Sequence, residues 1–174
     1  MLALLQTLFD IIRLRKGPDA LPRSPILLAI VVASWLFVDI LAGVVLPTFG
    51  RSSISGLAIS MLGIIIYAFI ATLYGRNARI MQMLTALIGC GAVLGLAVTL
   101  TIGVALQLQG LDLVAILSVL AVWSITLFSI VVDGHILSRT LDRPQLHGVI
   151  IAFLVFALQY YLSVTFNPVQ PAAA

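Results

Sequence analysis

Asp39 is the ionisable side chain with the least expected position, because it interrupts an apolar stretch that begins at Ile26. In a helix that rises about 1.5 Å per residue, it lies roughly 20 Å from the start of that stretch. An Asp near the centre of a membrane-spanning helix costs about 2.5–3.5 kcal/mol of insertion free energy. Its carboxyl group therefore faces other protein groups or is protonated. Three hypotheses fit: a hydrogen bond to a neighbouring helix, a proton or ion site, or a contact with a partner subunit.

Asp133, His135 and His147 are a second group of residues with side chains suited to chemistry. Asp and His are common metal ligands, but a metal site needs three or four ligands in a fixed geometry. Asp-x-His is a weak pattern for such a site, and Arg139 and Arg143 on the predicted loop would repel a cation. We therefore expect no metal and no cofactor. We interpret the three residues as polar groups at helix ends, within the headgroup layer on the cytoplasmic side.

Small residues recur in the third apolar stretch, at Gly89, Gly91, Gly95 and Gly103. The pair Gly91 and Gly95 has the Gly-xxx-Gly spacing, which allows two helix backbones to approach closely in a membrane. This pattern predicts that the helix packs against protein, either inside its own bundle or against a second copy of the chain.

The sequence contains few residues for enzyme catalysis. It has no Glu and only two His, and its one Cys, Cys90, lies within an apolar stretch. A nucleophile elbow, a phosphate-binding loop, a His-Glu-x-x-His motif and a Cys-x-x-Cys motif are all missing from the sequence. We predict that the protein is not an enzyme and that Cys90 is a small buried residue.

The composition indicates which elements position these residues. Of the 174 residues, 62% are hydrophobic and 9% charged, and the mean hydropathy is +1.23. Soluble domains carry roughly 25% charged residues, so a water-soluble globule is excluded. Within a bilayer every backbone polar group must be satisfied by protein, which leaves helices or a closed barrel. The apolar stretches are continuous and do not alternate as barrel strands do, so we predict an all-α integral membrane protein.

Five apolar stretches are long enough to cross a bilayer, which requires about 20 residues. We expect them to form one bundle over residues 26–166, with a short tail over 167–174. An interfacial helix over 1–16 and a Pro-rich connector over 17–25 precede the bundle. Pro25 and Pro47 bracket the first span, because proline disfavours helix continuation. The predicted spans are Ile26–Leu46, Leu57–Tyr74, Ile80–Leu106, Leu113–Val132 and Gly148–Phe166.

The basic residues predict the orientation of the bundle, because short cytoplasmic loops are enriched in Lys and Arg. All nine basic residues except Arg51 fall before the first span or in the turns after the second and fourth spans. The N-terminus is therefore predicted to be cytoplasmic and the C-terminus outside, in the inner (plasma) membrane. This scattered distribution also argues against nucleic acid as a partner.

The first 16 residues have the pattern of an amphipathic helix that lies in the membrane interface with its apolar face in lipid. The basic residues near it, Arg13, Arg15, Lys16 and Arg23, are expected to contact anionic headgroups, so membrane lipids are a predicted partner. The helix serves either as an anchor or as a docking arm for another protein. Its apolar arc consists of Leu4, Leu5, Leu8, Ile11 and Ile12.

The stretch from Val122-Trp123-Ser124-Ile125 through His135 to Gly148-Val149-Ile150 combines a Trp-containing fourth helix, a His-bearing turn and a fifth apolar helix. With five spans and a cytoplasmic N-terminal segment, this layout resembles the Yip (Ypt/Rab-interacting) membrane proteins, especially their bacterial branch. The chain departs from the family's Asp-Leu-Tyr-Gly-Pro stretch, of which it has only Gly17-Pro18. The resemblance implies a non-enzymatic organiser of membrane-protein assemblies, and no residue inherits GTPase binding from it.

These patterns together predict an accessory or scaffold protein that packs with another integral membrane protein or with itself. The alternative is a small transporter or a proton-linked channel subunit that uses Asp39. A lipid-handling protein is a further alternative, suggested by the basic N-terminal helix.

Overall fold

The structure is a computed structural model that describes residues 2–45, 53–108 and 112–166. These residues form helices joined by short turns, with no strand in the described ranges. The predicted tail, Pro47 and Arg51 lie outside the described residues. The helices are α1 (Leu2–Ile12), α2 (Pro25–Val45), α3 (Ser53–Leu73), α4 (Ile80–Gln107), α5 (Asp112–Leu141) and α6 (Gln145–Phe166).

Five of these helices, α2 to α6, are long and apolar enough to cross a membrane. Continuous apolar stretches form helices because a helix satisfies its backbone hydrogen bonds internally. The prediction of an all-α chain with five such helices is confirmed for the described residues. Five apolar helices in one short chain indicate a multi-pass membrane protein.

Helix α5 is longer than the sequence predicts, because it continues to Leu141 instead of ending near Val132. Its end is set by Asp142, which has a φ of 52° in the left-handed region. There the Arg143 N–H donates to the Ser138 carbonyl at 3.0 Å. Asp enters the left-handed region more readily than most residues, so this is a favourable helix end. Arg139 consequently lies on the helix and not on a loop.

Helix α4 is central to the bundle, because it contacts α1, α2, α3 and α5, while α6 packs between α3 and α5. The buried side chains concentrate at the end of the bundle where α1 lies. Towards the opposite end, α5 and α6 expose large apolar side chains such as Leu117 and Phe166. Such surfaces suit contact with lipid.

The sequence predicts that the apolar arc of α1 faces lipid, but part of this arc packs against the protein. Leu8 is only 4% exposed, and Ile11 and Ile12 are also buried, in the core shared with α4 and α5. Gly89 explains this packing, because a Cβ atom at that position would lie 2.9 Å from Leu8 Cδ2. The missing side chain leaves a hollow on α4 that receives Leu8. Leu5 remains exposed, so only part of the arc is available to lipid.

Candidate functional site

Four arginines meet at the end of the bundle where α3 and α5 end and α4 and α6 begin, hereafter the arginine-bearing end. Asp142 joins the two turns there. One of its oxygens, Oδ2, lies 2.8 Å from Arg76 Nη2, and the other, Oδ1, lies 2.9 Å from Arg79 Nη1. The α3–α4 turn and the α5–α6 turn are therefore tied together. The four arginines are Arg76, Arg79, Arg139 and Arg143.

Arg139 and Arg143 differ from the other two arginines, since no carboxylate of the described chain lies within ion-pair distance of either. The aliphatic stem of Arg139 packs beside Gly17. The guanidinium carbon of Arg143 lies 5.8 Å from the centre of the Tyr74 ring. Neither guanidinium group donates a hydrogen bond to another group within the described residues.

A groove of about 430 Å³ opens between these two arginines. A planar guanidinium presents donors that match a carboxylate or a phosphate in a two-point hydrogen bond. The groove is therefore suited to an anionic group. Its lining residues are Leu14, His135, Ser138, Arg139, Asp142, Arg143 and Gln145.

The two histidines have separate partners. His135 is 4% exposed, and its Nε2 lies 3.1 Å from the Lys16 carbonyl oxygen. Because a carbonyl only accepts, His135 Nε2 must carry the hydrogen and donate it. His147 is exposed, and its Nε2 lies 3.0 Å from the Tyr74 hydroxyl.

The predicted grouping of Asp133 with these histidines needs correction. His135 lines the groove, whereas Asp133 lines an internal cavity. Residues two apart on a helix do not share a face, which explains the separation. Helix α5 continues past both residues, so they lie within a helix and not at its end. Within the described residues, no three His, Cys, Asp or Glu side chains are grouped to hold a metal ion.

The connector over residues 17–25 is fastened to α4 by Gln82, which is 8% exposed. Its Nε2 donates to the carbonyl oxygens of Leu21 at 2.6 Å and Asp19 at 3.4 Å. Its Oε1 accepts a hydrogen bond from Arg23 Nε at 3.2 Å. Together with the His135 bond to Lys16, these contacts hold the N-terminal segment across the ends of α4 and α5.

The basic residues that follow α1 differ in whether they form an ion pair. Lys16 Nζ lies 2.8 Å from Asp10 Oδ2, and this contact holds the pKa of the Asp10 carboxyl below its ordinary value. Arg13 and Arg15 are exposed to the surroundings. They remain available for the predicted contact with anionic headgroups.

The glycines of α4 pack against the chain's own helices. A Cβ atom at Gly89 would meet Leu8 and, at 3.4 Å, Val31 Cγ1, while one at Gly103 would lie 2.9 Å from Val45 Cγ1. Gly91 has no such atom within 4 Å, and Gly95 has only an ordinary contact. Gly91 and Gly95 thus form no close helix crossing within the described residues.

Helices α5 and α6 cross closely at Gly134 and Gly148. A Cβ atom at Gly148 would collide with the Gly134 carbonyl oxygen, and one at Gly134 would lie 2.6 Å from Val149 Cα. The sequence prediction missed this pair. A signal was present, because each glycine directly follows a polar residue, Asp133 or His147, near the end of an apolar stretch.

Asp39 lies half-buried on α2 and interacts with other groups of the protein. It lines neither the groove nor the internal cavity. Its role in proton or ion handling stays a prediction.

Comparison of the chain with known protein families, with curated proteins and with solved structures gives no match. The resemblance to the Yip proteins stays a prediction from the sequence layout.

The ion pairs of Asp142 lead to a first prediction. We expect Asp142→Asn to loosen the contact between the two turns but to preserve the end of α5, because Asn also adopts the left-handed region. Asp142→Ala should disturb both features. Faster amide hydrogen exchange over residues 74–79 in Asp142→Asn would show the loosening, and faster exchange over 138–143 should occur only in Asp142→Ala.

The same contact predicts a pH dependence. The hydrogen bond from Arg79 holds the pKa of the Asp142 carboxyl below its ordinary value of 3.8. A carboxyl whose pKa is lowered by folding stabilises the fold above its ordinary pKa, and that contribution is lost as the pH falls through the lowered value. The difference between wild type and Asp142→Asn should therefore be present at neutral pH and vanish in strong acid. Equal exchange rates at neutral pH would contradict the assignment.

Proposed function

We propose that this chain is a non-enzymatic accessory or scaffold protein of the inner membrane. It binds an acidic segment of another membrane protein, or of a second copy of itself, at the arginine-bearing end. In this proposal the arginine-bearing end and the N-terminus face the cytoplasm, and the C-terminus lies outside.

The observation that carries the proposal is the groove beside Arg139 and Arg143. Both side chains lack a carboxylate partner among the described residues, whereas Asp142 pairs with Arg76 and Arg79. A charged pair that meets across an interface gives specificity and speeds association. An acidic partner segment would supply carboxylates for Arg139 and Arg143, because Asp142 in the same groove already pairs with Arg76 and Arg79.

The other contact surfaces expected from the sequence are largely used within the chain. The buried part of the α1 arc contacts α4 and α5, and Gly89 and Gly103 of α4 contact side chains of α1 and α2. These contacts hold the bundle together and leave less of both surfaces for a partner. The groove is therefore the surface that best supports the proposal.

Photo-crosslinking in living cells tests the proposal. A photo-reactive amino acid at Gln145, on the rim of the groove, should give a discrete protein adduct. The same amino acid at Leu113, at the start of α5, should not give that adduct. Changing Arg139 and Arg143 together to Gln should abolish the Gln145 adduct while the protein level stays unchanged.

The outcomes separate the remaining hypotheses. Absence of a protein adduct at Gln145, or an adduct that survives the double change, would contradict the proposal. Adducts with lipid alone would favour the lipid-handling hypothesis, because a phosphate also suits the groove. The transport hypothesis predicts an ion or solute flux in proteoliposomes that Asp39→Asn abolishes.

A further inference from the structure

The internal cavity, of about 290 Å³, lies among α2 to α6 within the apolar part of the bundle and is partly open to the surroundings. This volume is near the lower end of the range found for small-molecule sites. None of the side chains that line it is basic. Its polar and aromatic lining includes Trp35, Tyr67, Ser129, Asp133 and Gln159.

Asp133 is the acid of this cavity. It lies about 12 Å from the end of α5, at about 1.5 Å per residue, and therefore inside the helix bundle. The carboxyl group makes no hydrogen bond and no ion pair with the rest of the described chain. An ionisable group at such a depth is costly unless a partner compensates it, and in membrane helices it commonly marks a ligand or ion pathway.

Two neutral polar side chains of the lining, those of Ser129 and Gln159, each donate a hydrogen bond to a backbone carbonyl. The Ser129 hydroxyl donates to the Thr126 carbonyl at 2.7 Å. The Gln159 Nε2 donates to the Ile59 carbonyl at 3.2 Å. The lone pairs of the serine oxygen and the amide oxygen remain as acceptors. The cavity thus offers a carboxyl group and oxygen lone pairs, whose negative charge suits a cation.

The shape and the aromatic lining favour an organic cation over a metal ion. Trp35 and Tyr67 line the cavity, and aromatic rings attract ammonium groups. Gly91 provides space, since no heavy atom would lie within 4 Å of a Cβ atom built there. The described residues contain no group of three His, Cys, Asp or Glu that could hold a metal ion.

We propose that this cavity is a binding site for a small organic ammonium ion, with Asp133 as its counter-ion and Trp35 and Tyr67 as its aromatic walls. The site is separate from the groove at the arginine-bearing end. Its existence does not depend on the scaffold function proposed above.

Tryptophan fluorescence gives a direct test, because the sequence has only two tryptophans. Trp123 does not line the cavity and is 53% exposed. In a Trp123→Phe background, Trp35 is the single reporter. Titration with tetraethylammonium chloride, in lipid nanodiscs, should change the Trp35 emission with saturation. Sodium chloride at the same ionic strength should not.

Two variants assign the response to the cavity. Asp133→Asn should weaken tetraethylammonium binding at least about tenfold, which corresponds to about 1.4 kcal/mol. Asp39→Asn is the matched control, because it removes the other acid within an apolar helix without touching the cavity, and it should bind as the background does. Gly91→Leu should fill the cavity and abolish the response. Its backbone position has room for a side chain, so folding should persist.

The proposal is overturned if tetraethylammonium gives no saturable response, or if Asp133→Asn binds as tightly as the background. It is also overturned if Gly91→Leu, shown by gel filtration and circular dichroism to be folded, retains the response. The Gly91→Leu result decides the question if Asp133→Asn fails to fold.

Discussion

Replacement of Gly148 by Leu is expected to separate α5 from α6 and to prevent the bundle from folding. A Cβ atom at Gly148 would collide with the Gly134 carbonyl oxygen and would lie 2.8 Å from the Ser138 backbone nitrogen. These are backbone atoms within a helix, so they cannot rotate away as a flexible side chain would. The two helices would have to move apart along their whole contact.

The smaller change Gly148→Ala permits a quantitative test. Overpacking in a well-packed core costs about 1–3 kcal/mol, and we expect a value near the upper end because the obstacle is backbone. Gly43→Ala is the control, since no heavy atom would lie within 4 Å of its new Cβ atom. Ala is a better helix former than Gly by about 0.8–1.0 kcal/mol, so Gly43→Ala should be neutral or stabilising.

Thermal unfolding in detergent micelles, followed by circular dichroism, compares the two variants. A large decrease of the midpoint for Gly148→Ala and no decrease for Gly43→Ala would support the crossing. Equal midpoints would show that α5 and α6 do not cross at these glycines.

Gln82→Leu is expected to release the connector from α4. The change removes the donor to the Leu21 and Asp19 carbonyls and the acceptor for Arg23. Each buried polar group left without a partner costs about 1–3 kcal/mol, so the docked arrangement should lose most of its stability. Hydrogen exchange over residues 17–25 should become much faster, and proteases should cut this segment more readily.

Gln107→Leu is the matched control, because it makes the same change at an exposed position at the other end of α4. Gln82→Glu separates the two kinds of contact. A carboxylate still accepts from Arg23 but cannot donate to the carbonyls, so it should rescue only part of the docking. The assignment would be wrong if exchange over residues 17–25 were unchanged in Gln82→Leu, or if Gln107→Leu accelerated it equally.

The helices were predictable from the sequence because continuous apolar stretches in this composition permit little else. The residue at which α5 ends was not predictable in this way. Asp133 and His135 make the stretch polar after Val132, and this change normally marks the end of a span. In the structure the helix continues, with His135 bonded to the carbonyl of the distant Lys16 and with Asp133 beside a cavity among the helices. Neither environment can be deduced from the local sequence.

The sequence predicts that the candidate site is basic, but it does not predict which charged side chains form ion pairs there. The basic turns that carry Arg76 and Arg143 are evident from the sequence, whereas the bridge through Asp142 depends on how two turns meet in space. Asp39 is identifiable from the sequence as a candidate functional residue because it lies in the middle of an apolar stretch. Asp133 stood at a predicted helix end, and only the packing of the helices places it beside a cavity. The sequence also shows Gln82 as a polar amide side chain near the start of a predicted span.

The central claim is that the arginine-bearing end of a five-span bundle is a cytoplasmic contact surface. Cysteine labelling from either side of the membrane tests its topology most directly, because the only cysteine, Cys90, is buried. Position 112 begins α5, and position 145 begins α6, just after α5 ends at Leu141, so the two lie at opposite ends of the bundle. Helix α5 alone is about 45 Å long. With a membrane-impermeant maleimide, Gln145→Cys should react only in inside-out vesicles and Asp112→Cys only in intact spheroplasts. Reaction of both variants from the same side, or the reverse pattern, would contradict the account.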